Sequence, residues 1–280
     1  MKRLYPLLLL CCFAFNANAQ LFIQGAGTPS VGLGHAKLNT PNAWTAFNHA
    51  SGMQSVEGFS AGAFVSQLYE LDDFINGGLA FTLNNPMLNV GVAYIQGART
   101  QHLRNHHLAL SLSKDLHRKF TLGLQAYYFS SIYNGTDLYD QEYLFANVDL
   151  QYQVSDDLMV GLRVDNPVQF LLTDLHSTVE RISRHIIAGL FYQYDDNYDF
   201  YLETAIGENE QVYIAGISAC LLGTFTIRGG VNVNNSTLNT HINYTLGMGF
   251  EINGMQLNVG VFMHESLGNN RSIGLDYHHF

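Results

Sequence analysis

The sequence has 280 residues, of which only 13% are charged, and it contains 26 Gly, 16 Tyr and 18 Phe but only 5 Pro. Its formal net charge of −10, without a basic patch interleaved with aromatics, excludes nucleic-acid binding. After the N-terminal region, no uncharged apolar stretch reaches the roughly 18 residues of a transmembrane helix. Many glycines and aromatics with few charges are typical of strands that face lipid on one side and a crowded lumen on the other.

The N-terminus has the pattern of an export signal. Two basic residues, Lys2 and Arg3, precede an apolar run from Leu4 to Phe15, and Ala17-Asn18-Ala19 follows as an A-x-A cleavage site. We therefore expect residues 1–19 to be a signal peptide. Two adjacent cysteines within the run offer a lipoprotein signal as the alternative, but cleavage there would leave almost no apolar region.

Alternation of apolar with small or polar residues recurs along nearly all of the remaining chain. In the segment 240–251, apolar side chains at every even position from 242 to 250 alternate with His, Asn, Thr and Gly. Such segments have the length of about ten residues that a tilted strand needs to cross a bilayer. Turn signals divide the chain into fourteen strands, with twelve as the alternative. The predicted starts are Phe59, Ile75, Leu88, Asn105, Phe120, Glu142, Leu158, Ser183, Asp199, Val212, Phe225, Thr240, Met255 and Ser272.

The predicted fold is all-β, a transmembrane antiparallel barrel over residues 57–280 with a short N-terminal helix inside it. An even strand number is typical of single-chain barrels in the outer membrane of Gram-negative bacteria, where outer-membrane lipid would be the partner. The last strand carries Tyr277 and ends on Phe280. This ending resembles the signal by which barrel assembly machinery recognises its clients.

Residues 20–56 lack strand alternation and are too apolar for a free tail, so we expect them to plug the lumen. Thr40 is predicted as the N-cap of a short helix, with Pro41 at its first position. Trp44 and Phe47 are expected to pack against inward Gly and Asn residues of the barrel. The remaining candidates are Asn48, which would cap the helix end, bind the barrel wall or simply form a turn, and Gly52.

No sequence pattern for catalysis or for a cofactor is present, and an enzyme is not expected. Nucleotide-binding loops, a nucleophile elbow and a zinc-protease helix are all missing. Adjacent histidines such as His106 and His107 would point to opposite faces of a strand and cannot share a metal. An outer-membrane enzyme using Ser218, His241 and Asp276 is the weakest alternative, because barrel lumens ordinarily hold such polar residues.

Several short motifs resemble those of FadL-like outer-membrane barrels. The segment 48–53 reads Asn-His-Ala-Ser-Gly-Met where the family has N-P-A-G-L, with His49 in place of the proline and Ser51 inserted. Asp165-Asn166-Pro167 and the segment 227–231, Ile-Arg-Gly-Gly-Val, are similar to later family motifs. Within this group, the sequence most resembles PorV and PorQ of the type IX secretion system of Bacteroidota.

That resemblance implies an accessory or structural role in protein secretion, with other secretion proteins or cargo as partners. Phe170, Leu171 and Leu172, in a predicted long loop over residues 165–181, are the candidate contacts, because exposed apolar loops mark protein or lipid contacts. The alternative is a FadL-like channel that carries hydrophobic small molecules across the outer membrane.

Overall fold

The computed structural model describes residues 24–38, 40–99, 103–117, 119–133, 141–173, 184–195, 197–236 and 239–279. The predicted signal peptide and Phe280 lie outside these residues. Fourteen antiparallel strands form a closed barrel in which each strand pairs with its neighbours along the chain, and β1 pairs with β14. The strands are β1 (Phe59–Gln67), β2 (Ile75–Leu83), β3 (Asn89–Arg99), β4 (Leu103–His117), β5 (Phe120–Tyr133), β6 (Gln141–Gln153), β7 (Leu158–Thr173), β8 (His185–Tyr194), β9 (Tyr198–Ile206), β10 (Glu210–Leu221), β11 (Phe225–Ser236), β12 (Thr240–Ile252), β13 (Met255–His264) and β14 (Gly268–His279).

The predicted architecture and the count of fourteen strands are confirmed. Most predicted starts lie within two residues of the observed ones. The largest error is at β14, which begins at Gly268 rather than Ser272. Asn269 and Asn270 have the composition of a turn, yet they pair with Met263 and Phe262 of β13 and extend the ladder.

The predicted long loop at 165–181 is wrong in its first half. Strand β7 continues to Thr173, past a bulge in which Asp165–Pro167 lie opposite Asn147 alone. Asn166 takes a left-handed backbone conformation there (φ 56°), and its amide donates to Asn147 Oδ1 at 2.9 Å. Because three residues face one, the strand resumes in the same phase, and the side chains at 160, 162, 168, 170 and 172 all point outward.

The outer surface of the barrel is apolar. Leu79 and Leu246 are 62% and 59% exposed, and similar outward Leu, Ile, Val and Met side chains occur on almost every strand. A continuous apolar surface of this extent is not stable in water, so it is the lipid-facing surface of an outer-membrane barrel. Among the described residues, no helix is long and apolar enough to cross a bilayer.

Aromatic pairs lie at the end of the barrel where β1 begins and β14 ends. Phe59 packs 5.9 Å from Phe81 and 5.7 Å from Tyr277, and Tyr192 stacks on Phe200 at 6.3 Å between ring centroids. Outer-membrane barrels carry aromatic girdles at their interfaces and short turns on the periplasmic side. This end, with its short turns, is therefore the periplasmic end, and the opposite one is the outer end.

Residues 24–38 and 40–56, together called the luminal segment, lie inside the barrel and are almost entirely buried. They contain helix α1 (Thr28–Gly32), helix α2 (Thr45–Asn48) and a 3₁₀ helix (Ala50–Ser55). The prediction that Thr40 caps a helix beginning at Pro41 is wrong. Asn42 sets the start instead, because its Oδ1 accepts from Trp44 N at 2.8 Å and its carbonyl accepts from Thr45 Oγ1.

Candidate functional site in the lumen

Inward glycines of the wall leave the space that the luminal segment fills. A Cβ at Gly62 would lie 2.8 Å from Trp44 Nε1, and one at Gly91 would lie 2.6 Å from Ala46 Cβ. These distances are too short for any side chain, so the backbone of the wall touches the segment directly. The alternation of Gly with larger outward residues in the sequence is explained by this contact, because a side chain at the inward position would collide with the luminal segment.

Trp44 is held between the wall and the segment. Its Nε1 donates to Asp276 Oδ1 of β14 at 3.0 Å, and its ring meets the Phe64 ring of β1 edge-on at 4.8 Å. Together with Gly62, these contacts place Trp44 against the inward faces of β1 and β14.

Phe47 lies against aromatic rings of the wall, and its packing against inward Gly and Asn residues stays a prediction. Its ring lies 5.4 Å from the Tyr127 ring and 6.4 Å from the His107 ring, so its described ring partners are aromatic. Tyr127 in turn stacks on Phe145 at 4.6 Å. One half of the lumen therefore contains an aromatic cluster that sequence alternation alone did not identify.

Asn48 neither caps α2 nor binds the wall in the structure. Its Oδ1 accepts from Ala26 N at 2.7 Å and its Nδ2 donates to Ala26 O at 2.9 Å, so it joins two parts of the luminal segment. Gly52 is buried in the 3₁₀ helix beside His49 and Thr45.

A buried ionic network connects the luminal segment to β6 and β7. Arg163 donates to Asp149 and Asp165, and its Nη2 donates to Gln125 Oε1 at 2.8 Å. Lys37 of the luminal segment lies 3.4 Å from Asp165. Buried charges are tolerated only when they are paired and hydrogen-bonded, as these are. The network was not predicted from sequence, because Lys37, Asp149 and the Arg163–Asp165 pair are far apart along the chain.

Carboxylates of the wall also bind backbone amides of the luminal segment. Glu203 of β9 accepts from Lys37 N at 3.0 Å and from Leu38 N at 2.7 Å, one through each oxygen. Asp149 accepts from Ala50 N at 3.1 Å. These bonds satisfy amides that have no strand or helix partner, and they fix the segment at several separate points.

A cavity of about 300 Å³ remains between the luminal segment and the outer half of the wall. Phe47, Phe64 and Ile95 give it apolar sides, while His107 and Asn105 of β4 are among its polar groups. It lies on the side formed by β1–β4 and β14. A volume at the lower end of the range for ligand pockets fits a small molecule.

A groove of about 590 Å³ lies on the lipid-facing side of the same part of the wall. Leu79, Tyr94 and Leu275 are among its apolar sides, and Phe64 and Asn76 line both the groove and the inner cavity. The pairing of β2 with β3 shifts register between Ile75 and Gly77, and two glycines, Gly77 and Gly78, follow. The cavity and the groove therefore meet at Phe64 and Asn76, the residues that they share.

The candidate contact residues of the predicted loop lie on a strand. Phe170 and Leu172 point outward from β7 and are 60% and 54% exposed. Leu171 is in the same strand. Since the other outward side chains of the barrel are equally apolar, their exposure follows from strand alternation in a membrane protein.

The polar residues considered for catalysis have separate partners. Asp276 binds Trp44 and also accepts from Asn258 Nδ2 at 2.8 Å, whereas His241 lies 3.7 Å from Glu265. Within the described ranges, His, Cys, Asp and Glu form no cluster of metal-ligating geometry.

Neither a family model nor a curated protein matches this sequence. Solved structures do match. The CymD monoaromatic hydrocarbon channel is 12% identical, with a TM-score of 0.71 over 91% of this chain and 98% of that one. The toluene transporter TodX of Pseudomonas putida is 10% identical, with a TM-score of 0.68 over 92% and 99% of the two chains. A FadL homologue of Pseudomonas aeruginosa is 10% identical, with a TM-score of 0.65 over 93% and 100%.

CymD is described as a channel and TodX as a transporter. Nothing in the comparisons supports the narrower resemblance to PorV and PorQ. At this level of identity the likeness shows the fold alone, and the chain is a closed fourteen-stranded antiparallel β-barrel that shares its fold with these solved structures.

Proposed function

We propose that this barrel is a channel for small hydrophobic molecules across the outer membrane, with the luminal segment as its plug. The observation that carries the proposal is that Phe64 and Asn76 line both the inner cavity and the lipid-facing groove. A molecule that enters from the outer end would reach the cavity and leave sideways into the bilayer, without crossing the packed periplasmic half.

The chemistry of the two spaces favours such a path. Phe47, Phe64 and Ile95 offer apolar contact inside, and Leu79, Tyr94 and Leu275 continue it outside. The free energy of an apolar molecule falls along this path, because its surface moves from water into an apolar cavity and then into lipid. The structural neighbours include channels for monoaromatic hydrocarbons, which is consistent with this substrate class.

The secretion role, ranked first from sequence, becomes the second candidate. Its structural support comes from Phe170 and Leu172, which point outward from β7. Strand β8 begins at His185, opposite Asp165, so the part of β7 that carries them extends beyond the described part of β8. That surface would suit a membrane-embedded partner. No comparison favours it, whereas the cavity and groove favour transport.

Two substitutions at the boundary between the cavity and the groove should have opposite effects on uptake. A Cβ at Gly78 would lie 2.9 Å from both Phe64 Cε1 and the Tyr94 carbonyl oxygen, so Gly78→Leu should fill the boundary and lower uptake several-fold. Phe64→Ala should widen it and raise uptake. Uptake of radiolabelled toluene by cells that carry each variant would be measured.

Gly229→Leu is the matched control, because a Cβ at Gly229 meets only Thr245 O, at 3.9 Å, on the outward face of β11. It should transport like the parent barrel, and heat-modifiable migration should show all three variants folded. If folded Gly78→Leu and Phe64→Ala barrels both transport like the control, the passage lies elsewhere and the proposal fails.

A further inference from the structure

We infer that the inner cavity selects an uncharged ring-sized ligand that carries a hydroxyl group, rather than a plain hydrocarbon or a carboxylate. The inference rests on the proposed function and narrows its substrate class. It is carried by the residues that line the cavity and by the partners of the charged groups elsewhere in the lumen.

The described lining residues of the cavity include no Lys, Arg, Asp or Glu. Arg163 lies in the lumen, yet it is bound to Asp149 and Asp165, and Lys37 faces Asp165. A carboxylate in the cavity would have to leave water without a cation to receive it, which carries a large desolvation penalty. Anionic ligands are therefore disfavoured.

The polar lining groups are ones that suit a hydroxyl. His107 Nδ1 lies 2.7 Å from the Tyr127 hydroxyl, so one of these two groups donates to the other. In either tautomer the second ring nitrogen, Nε2, is the complementary donor or acceptor, and a hydroxyl can serve as its partner in both cases. Asn105 accepts from Ser131 Oγ through Oδ1 at 2.9 Å, which leaves Nδ2 as its donor.

A plain hydrocarbon would fill the same space but would displace water from these groups without replacing its hydrogen bonds. A site with buried hydrogen-bonding groups rejects an analogue that lacks the matching group, because its own groups are left unpaired. The aromatic sides from Phe47 and Phe64 meanwhile suit the ring. An apolar cavity of about 150 Å³ is known to admit benzene, so about 300 Å³ has room for a substituted ring.

The test compares cyclohexanol, methylcyclohexane and cyclohexanecarboxylate, which share a ring and differ in one substituent. Each is titrated by calorimetry into the detergent-solubilised full chain at neutral pH, against a matching detergent blank. Cyclohexanol should bind about tenfold more tightly than methylcyclohexane, the size of one net hydrogen bond. The carboxylate should bind most weakly.

Two neighbouring histidines supply the variant and its control. His107→Phe keeps a ring in the cavity and removes the hydrogen bond, so it should abolish the preference for cyclohexanol while methylcyclohexane binds as before. His106→Phe changes the neighbouring residue, whose ring stacks on Tyr94 and whose Nδ1 lies 2.7 Å from the Tyr94 hydroxyl, and should preserve the preference.

The outcomes separate this inference from the proposed function. Equal or tighter binding of methylcyclohexane or the carboxylate, unchanged in His107→Phe, would overturn the inference and leave the channel proposal standing. If none of the three compounds binds the parent protein, the cavity is not a ligand site and both fail.

Discussion

At the scale of single residues, the lumen depends on polar groups whose partners are distant in sequence. Asp149 binds an amide 99 residues away, Glu203 one 165 residues away, and Asp276 the Trp44 indole 232 residues away. Trp44 was named from sequence because it is large and apolar in a segment without alternation. The three carboxylates could not be paired with their partners in the luminal segment, since nothing local distinguishes an inward carboxylate with a partner from one facing water.

Glu203→Gln should loosen the luminal segment. The amide side chain keeps one acceptor oxygen but turns an NH₂ group toward one of the Lys37 and Leu38 amides, which is left buried without an acceptor. Such a defect costs about 1–3 kcal/mol. Protease digestion should cut the luminal segment faster in the variant, with the barrel still heat-modifiable. Glu57→Gln, at an exposed position before β1, is the control, and equal cleavage rates in the two variants would contradict the role of Glu203.

At the scale of elements, strands were predictable and short helices were not. A strand crossing a membrane carries its own signal, because one face must be apolar over about ten residues and turns must separate the crossings. Helices α1 and α2 have five and four residues, too short to be stable alone, so they depend on packing inside the barrel. The bulge at Asn166 was likewise not predicted, because three residues that face one residue of the neighbouring strand leave no local pattern in the sequence.

The two faces of a strand should respond differently to substitution. Leu246, outward in the middle of β12 and 59% exposed, faces the bilayer, so Leu246→Arg should cost roughly 2–4 kcal/mol. Denaturant unfolding of the barrel in lipid vesicles would measure the change. Met87→Arg is the control, because Met87 is 79% exposed in the periplasmic turn before β3. A loss as large for Met87→Arg as for Leu246→Arg would contradict the assigned lipid-facing surface.

Inward positions are more constrained than the sequence suggested. Lumen residues of an open barrel tolerate polar changes, but Thr245 accepts from Gly34 N at 3.0 Å and donates to Gly32 O at 3.0 Å. Asn258 likewise accepts from Arg228 and donates to Asp276. The Thr245 contacts join the wall to the luminal segment, whereas the Asn258 contacts join strands of the wall to one another. The cost of an inward substitution therefore depends on the segment at some positions and on the barrel at others.

At the scale of the whole molecule, the luminal segment depends on the barrel for its stability more than the barrel depends on the segment. The closed ladder from β1 to β14 satisfies its own backbone without the segment. Without the barrel, the segment would expose Trp44, Phe47 and unpaired amides to water. The segment therefore needs the barrel, whereas the barrel needs it mainly to fill space between inward glycines and to neutralise Asp165 through Lys37.

Removal of the luminal segment should consequently open the lumen without unfolding the barrel. A variant lacking residues 25–53 should remain heat-modifiable and show a higher single-channel conductance in planar bilayers.

Cross-linking gives the complementary measurement, because Thr28 Oγ1 and Ser272 Oγ lie 2.7 Å apart, close enough for cysteines there to form a disulfide. In a Cys220→Ser background, Thr28→Cys with Ser272→Cys should lower uptake when oxidised and recover with a reductant. If the folded deletion variant conducts no better than the full chain and the cross-link leaves uptake unchanged, the segment does not act as a plug, and the lumen must be closed by the inward side chains of the wall alone.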